Sequence, residues 1–207
     1  PSRFHLHHQK RTIASPLFSD GVNEIAMEYP VTTEIKLTDP RYNEVLSEFY
    51  ENCSNKLKGY LKEGDEVVVL CEGDPFFYGS FMHLHSRLNA FAQIQVVPAT
   101  TGMSGAWTAT GQPITWGDDV LTVLTGTLSE EELIFHMNKT DALVLMKIGT
   151  NYKKVETALK RAKLFDRAWA VHYATMANQK VMKLSETSME EMPYFGIILV
   201  HGKGRRP

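Results

Sequence analysis

A short acidic turn at residues 72–75 is the part of this chain best suited to chemistry. It follows five apolar, β-prone residues, Val67–Cys71, which predict a strand buried on both faces. Glu72, Gly73, Asp74 and a proline then form a sequence typical of a turn. Apolar residues at helical spacing continue over residues 78–88. Gly73 permits a close backbone approach, and the two carboxylates suit a cationic or hydroxyl-bearing ligand better than a phosphate.

The strand, turn and helix around residue 73 have a functional and an ordinary interpretation. In open α/β sheets, ligands bind at the carboxyl ends of the strands, where this turn would lie. An ordinary connection between a strand and a helix has the same composition, so the four residues alone leave both interpretations open.

The other elements needed to position this turn follow from hydrophobic spacing. Asp39 and Pro40 predict the start of an amphipathic helix that ends near Lys62. Ser129 and Glu132 form the pattern of a capping box, which predicts a helix to residue 138. Further helices are predicted at 98–111 and 151–162, and further strands at 94–97, 120–124, 142–148, 168–173 and 195–200.

This alternation of strands and helices predicts an α/β fold in two domains. Glycine and proline interrupt the pattern at Gly111 and Pro113, so we expect an N-terminal α/β domain over 1–112 and a C-terminal α/β domain over 113–207.

Composition excludes several classes of function. The chain has 207 residues, of which 43% are hydrophobic and 22% charged, with a formal net charge of −2. These values are ordinary for a globular protein and provide no basic stripe for nucleic acid. No apolar run is long enough for a transmembrane helix. Cys53 and Cys71 are predicted to be buried thiols in a reducing compartment, which favours a cytoplasmic location.

Three other chemical patterns carry little weight. His5, His7 and His8 lie close together, but no cysteine or carboxylate accompanies them at ligand spacing, so we assign no metal. The chain has neither a nucleophile elbow nor a phosphate-binding loop. The basic residues after Gly202 are typical of a solvated tail, with contact to an acidic ligand as the alternative.

Five segments resemble the tetrapyrrole methylases, a family of S-adenosylmethionine-dependent enzymes, and they fall along the chain in the order that the family has. The first is the run from Glu72 to Ser80, and the next three are residues 97–103, 145–149 and 173–179. The fifth, Tyr29 to Glu34 together with residues 193–195, resembles the branch that methylates C20 of precorrin-2 in cobalamin biosynthesis. The resemblance covers roughly residues 23–200.

The resemblance implies two α/β domains with S-adenosylmethionine bound in the cleft between them and S-adenosylhomocysteine as product. It also implies an acidic tetrapyrrole substrate and a homodimer, with no nucleic acid or membrane partner. The implied cofactor-binding residues are Glu72, Gly73, Asp74 and Phe77 on one side, Thr101 and Gly102 at the floor, and Met146, Tyr173, Ala174 and Thr175 at the adenosine end. Thr32, Thr33, Tyr78 and Met82 are candidate substrate contacts.

Two departures from the family pattern stand out. The glycine-rich loop that normally follows the family's first strand has no counterpart before residue 23, so we expect the given chain to lack that segment. In the second loop Ala99 and Gly102 replace the usual glycine and serine, which leaves Thr101 as the hydroxyl. No residue is identified as a catalytic base.

The resemblance implies an S-adenosylmethionine-dependent methyltransferase that methylates C20 of precorrin-2 to give precorrin-3A, and several alternatives remain open. Within the family these are a cobalt-factor II C20-methyltransferase, a uroporphyrinogen-III methyltransferase and a diphthine synthase. From a different class, a non-catalytic cofactor-binding module is the alternative.

Overall fold

The computed structural model describes residues 11, 13–30, 35 and 39–204. The chain divides into two compact units, Pro1–Ala99 and Thr100–Pro207. This division falls inside the helix range that we predicted, 98–111, and before the helix that the structure has from Gly102, whereas the predicted boundary lay after that range.

The second unit is built on a mixed five-stranded sheet with the order β1-β2-β5-β3-β4. β1 and β2 are parallel, whereas β5 is antiparallel to both β2 and β3, so β1, β2 and β3 all point the same way. β4 is antiparallel to β3. The strands are β1 (Leu121–Thr125), β2 (Ala142–Met146), β3 (Ala168–His172), β4 (Lys180–Lys183) and β5 (Gly196–Val200).

Helices cover both faces of this sheet, and each face has its own apolar core. Ala106 of one helix packs with Val144, Val171 and Leu199 on the first face. Two other helices, which contain Leu133 and Val155, pack on the opposite face. The helices are α3 (Gly102–Ala109), α4 (Glu130–Met137) and α5 (Tyr152–Arg161). This layered arrangement confirms the predicted α/β fold.

Two packed helices dominate the described part of the first unit, α1 (Pro40–Glu63) and α2 (Phe81–Leu88). Asp39 caps α1 as predicted, because its side chain accepts a hydrogen bond from the backbone N–H of Arg41. Tyr50, Leu57 and Leu84 belong to the buried core between the two helices. Two chain segments, around residues 67–69 and at residue 94, pack one side against this core.

The predicted strands of the first unit are wrong for its described residues. Residues 67–71 and 94–97 are not assigned to any strand. Val68 is 76% exposed and Val97 is 71% exposed, so neither segment is buried on both faces. Cys71 is only partly buried, whereas Cys53 is buried on α1. The helix predicted from residue 78 begins at Phe81, because Tyr78 adopts a left-handed backbone conformation with φ 52°.

No helix in the described part of the chain has the length and apolar character that a membrane span requires.

Candidate functional site

The carboxyl ends of β2 and β3 bring four predicted cofactor-binding residues to one edge of the sheet, namely Met146, Tyr173, Ala174 and Thr175. Met146 is the last residue of β2 and lies against the core on the α3 face. Tyr173 and Ala174 follow β3 directly, and Ala174 packs against the same core. The backbone N–H of Tyr173 donates a hydrogen bond of 2.8 Å to the carbonyl of Phe195, which fixes the start of this loop beside β5.

The backbone at these strand ends is strained. Lys147, Tyr173 and Thr175 have φ of 51°, 51° and 67°, in the left-handed region that favours glycine. Thr175 is the most unusual of the three, because it is β-branched. Its N–H donates a hydrogen bond of 2.7 Å to Oε1 of Gln179, which closes the loop on itself. Strained residues persist where surrounding contacts hold them, and they cluster at ligand sites.

The first turns of α3 lie beside this loop. Thr101 precedes the helix, and its hydroxyl lies 3.0 Å from that of Ser104. A Cβ atom at Gly102 would only just contact Ile197, at 4.0 Å. A Cβ atom at Gly105, by contrast, would lie 2.8 Å from Cγ2 of Thr175. The absence of a side chain at Gly105 therefore allows α3 and the loop to approach closely.

A depression of about 280 Å³ lies between α3 and the loop after β3. Its described lining contains hydroxyl, amide and apolar groups but no charged side chain. The lining residues are Thr100, Ser104, Gly105, Thr108, Ala109, Thr175 and Gln179. Two of the predicted cofactor segments thus border one concave surface within the second unit.

The acidic turn of the first unit is organised by Asp74. Its Oδ1 accepts a hydrogen bond of 2.9 Å from the N–H of Phe76, and its Oδ2 accepts one of 3.2 Å from the N–H of Ala99. Gly73 has φ 72°, a conformation that glycine adopts without the cost that a side chain would add. The carboxylate thus holds the turn in shape and joins it to the segment before α3.

Exposed aromatic and apolar groups surround this turn. Tyr78 is 42% exposed and Met82 is 37% exposed. The rings of Phe77 and Tyr78 contact each other with centroids 4.9 Å apart. Glu72 is exposed. The two threonines predicted to contact substrate, Thr32 and Thr33, lie outside the described residues.

Sequence reasoning missed Gly105, Gln179 and His172. Gly105 contacts Thr175, which lies far away in sequence, so no local motif encodes that contact. Gln179 accepts a hydrogen bond from Thr175 only four residues away, inside the segment 173–179, but the motif did not indicate this bond. His172 ends β3, and its Nε2 is buried without a hydrogen-bond partner among the described residues. Burial and the nearby charge of Lys180 lower the pKa of His172. Its position directly before Tyr173 is the only signal in the sequence that could have drawn attention to it.

The chain is similar to known proteins over most of its length. The model of the family described as Tetrapyrrole (Corrin/Porphyrin) Methylases matches residues 11–190. A precorrin-2 C(20)-methyltransferase of Sinorhizobium sp is 41% identical over 197 residues, which cover 95% of this chain and 80% of that relative.

Two solved structures share the fold. A cobalt precorrin-4 methyltransferase superposes with a TM-score of 0.61 at 22% identity, covering 73% of this chain and 70% of the other. A uroporphyrin-III C-methyltransferase of Thermus thermophilus, complexed with S-adenosylhomocysteine, superposes with a TM-score of 0.55 at 20% identity and covers 72% of each chain.

Proposed function

The chain belongs to the tetrapyrrole methylase family, and we propose that it is an S-adenosylmethionine-dependent methyltransferase that converts precorrin-2 to precorrin-3A by methylating C20. The observation that carries this proposal is the 41% identity to a precorrin-2 C(20)-methyltransferase across nearly the whole chain. The reaction belongs to cobalamin biosynthesis.

The residues at the sheet edge fit S-adenosylmethionine in their chemistry. The depression beside α3 combines apolar surface with hydroxyl and amide groups, which suits an adenosine moiety. Met146 and Ala174 add apolar surface on the same face of the sheet. Thr101, Gly102, Tyr173 and Thr175 border this region, and we assign them to the cofactor. The family resemblance assigns Glu72, Gly73 and Phe77 to the cofactor as well.

Asp74 has a different role in this proposal. Both of its carboxylate oxygens accept backbone hydrogen bonds, so it supports the cofactor site by holding the turn. The family resemblance, by contrast, implies that Asp74 contacts the cofactor directly.

When bound, S-adenosylmethionine supplies a methyl group that is already activated by the positive sulfonium. The protein therefore has to hold the acceptor carbon in line, and positioning can supply most of the rate enhancement. From the same resemblance, we propose Tyr78, Met82, Thr32 and Thr33 as contacts of the flat macrocycle. The C20 proton has to leave after methyl transfer, and we assign no residue to its removal.

The test is to incubate the protein with precorrin-2 and S-adenosylmethionine carrying a 13C-labelled methyl group, and to locate the label by NMR. Label at C20 is expected. Label at a pyrrole carbon would assign the protein to another branch of the family. A parallel reaction with the cobalt-containing substrate, cobalt-factor II, distinguishes a precorrin-2 enzyme from a cobalt-factor II enzyme. We expect faster methyl transfer to precorrin-2.

We also infer from the family resemblance that the protein is a cytoplasmic homodimer. Neither property affects the assignment of the reaction.

A further inference from the structure

Lys147 occupies a backbone position that glycine would adopt more easily. Its φ is 51°, and a left-handed conformation brings Cβ close to the following carbonyl oxygen. Its two neighbours are anchored on opposite faces of the sheet. Met146 packs with the core beside α3, and Ile148, which is 1% exposed, belongs to the core beside α4 and α5. The Cα of Lys147 is thereby fixed at the carboxyl edge.

Hydrogen bonds and close contacts hold the same turn. The N–H of Gly126, just after β1, donates a hydrogen bond of 2.7 Å to the carbonyl of Met146. A Cβ atom at Gly126 would lie 2.9 Å from Cα of Ile148 and 3.0 Å from the carbonyl oxygen of Lys147. The N–H of Asn151 donates a hydrogen bond of 2.8 Å to the carbonyl of Ile148. A side chain that leaves from residue 147 therefore starts from a rigid point.

The side chain at this point is an exposed cation. It lies at the edge where Tyr173 and Thr175 also have left-handed backbone conformations. An ammonium group provides a positive charge and three hydrogen-bond donors on a flexible stem, which suits a carboxylate ligand. The acidic tetrapyrrole proposed as substrate carries such carboxylates around its rim.

We propose that Lys147 binds a peripheral carboxylate of the tetrapyrrole and thereby helps to orient the macrocycle. The proposal rests on the proposed function and adds a specificity residue to it. A cation on a rigid turn fixes one point of a large, flat ligand, and the orientation of that ligand decides which carbon faces the methyl donor.

Lys163 provides a matched control. It is also an exposed lysine with a left-handed backbone, φ 57°, but it follows α5 and precedes β3, at the opposite end of the strands. Replacement by glycine removes the same charge and relieves the same kind of backbone strain at both positions. Any difference between Lys147→Gly and Lys163→Gly therefore reports on the location of the charge.

The experiment measures thermal unfolding, the dissociation constant of precorrin-2 and the KM and kcat of methyl transfer. Both glycine variants should unfold at the same temperature as wild type or higher. Lys147→Gly should weaken precorrin-2 binding roughly tenfold or more, as expected for a hydrogen bond between charged groups. Lys163→Gly should leave it unchanged. Lys147→Arg should restore most of the affinity, and the affinity for S-adenosylmethionine should be the same in all variants.

Equal precorrin-2 affinity in Lys147→Gly and Lys163→Gly would overturn the proposal. If wild type binds precorrin-2 but transfers no methyl group, the proposed reaction fails, and the binding constants still decide the role of Lys147. If wild type does not bind precorrin-2 at all, both fail.

Discussion

Gly105 lies in α3 at the point where the helix approaches the loop after β3. A methyl group at this position would lie 2.8 Å from Cγ2 of Thr175 and 3.9 Å from Cβ of Ala174. The first distance is well below the 3.5–4.0 Å at which carbon atoms attract each other most strongly. Gly105→Ala should therefore displace the loop that we assign to the cofactor.

The expected change in stability is the difference between two effects. Alanine is about 1 kcal/mol more favourable than glycine within a helix. Overpacking typically costs about 1–3 kcal/mol, and Thr175 has limited freedom to move aside, because β-branched side chains are stiff and its N–H is hydrogen-bonded to Gln179. We expect Gly105→Ala to lower the free energy of unfolding by roughly 0–2 kcal/mol.

Gly59→Ala is the matched control, because Gly59 also lies within a helix, α1, and nothing lies within 4 Å of the added methyl group. This variant should gain about 1 kcal/mol of stability. Urea unfolding provides the stabilities, and titration calorimetry provides the affinity for S-adenosylmethionine. Gly105→Ala should weaken that affinity by about fivefold or more, corresponding to a loss of about 1 kcal/mol. Gly59→Ala should leave it unchanged.

A second substitution tests the cause of the effect. Thr175→Ser removes the methyl group with which the new alanine would clash, so the double variant Gly105→Ala/Thr175→Ser should recover both stability and affinity relative to Gly105→Ala. If Gly105→Ala is stabilised as much as Gly59→Ala and binds S-adenosylmethionine normally, the reasoning about this contact is refuted.

Two further predictions concern single side chains. Asp74→Ala should lower the free energy of unfolding by about 1–3 kcal/mol, because the N–H groups of Phe76 and Ala99 lose their acceptor. The same variant should weaken S-adenosylmethionine binding indirectly, because the turn is no longer held in shape. Unchanged thermal unfolding would show that the turn does not need this carboxylate. Burial lowers the pKa of His201 in the folded protein below its ordinary value of 6.5. As the pH falls, the histidine of the unfolded chain therefore takes up a proton before that of the folded protein. The contribution of neutral His201 to the stability of the folded protein is complete above about pH 6.5 and is lost below it. His201→Asn should therefore have a flatter dependence of thermal unfolding on pH between 7.5 and 5.5, and parallel curves for wild type and variant would contradict this.

The elements of the second unit could be predicted because each has strong local signals. The capping box is formed as expected, with the Ser129 side chain accepting from the N–H of Glu132 and the Glu132 carboxylate accepting from the N–H of Ser129. The apolar run of β2 is buried on both faces, as its composition indicates. β4 was not predicted, because it has only two apolar residues between Lys180 and Lys183, and a pattern this short cannot be distinguished from a loop.

The candidate site was predictable as a set of strand ends but not as a set of contacts. Motifs identified the turns around Gly73, Met146 and Tyr173. They did not show that both oxygens of Asp74 accept backbone hydrogen bonds, since one partner, Ala99, lies 25 residues away. The crowding between Gly105 and Thr175 also depends on the packing of α3 beside the sheet, which is a property of the tertiary structure.

The wrong prediction at residues 67–71 has a physical cause that the run itself does not reveal. Val67 and Val69 pack against the core of α1 and α2, whereas Val68 and Leu70 are 76% and 41% exposed. An apolar run indicates side chains that favour burial on both faces, but α1 and α2 cover one face only. A strand also needs a neighbour that pairs with its backbone N–H and C=O groups. Such a neighbour lies elsewhere in the sequence. The five residues therefore determine only that the segment favours an apolar environment, and the rest of the chain determines whether a strand forms.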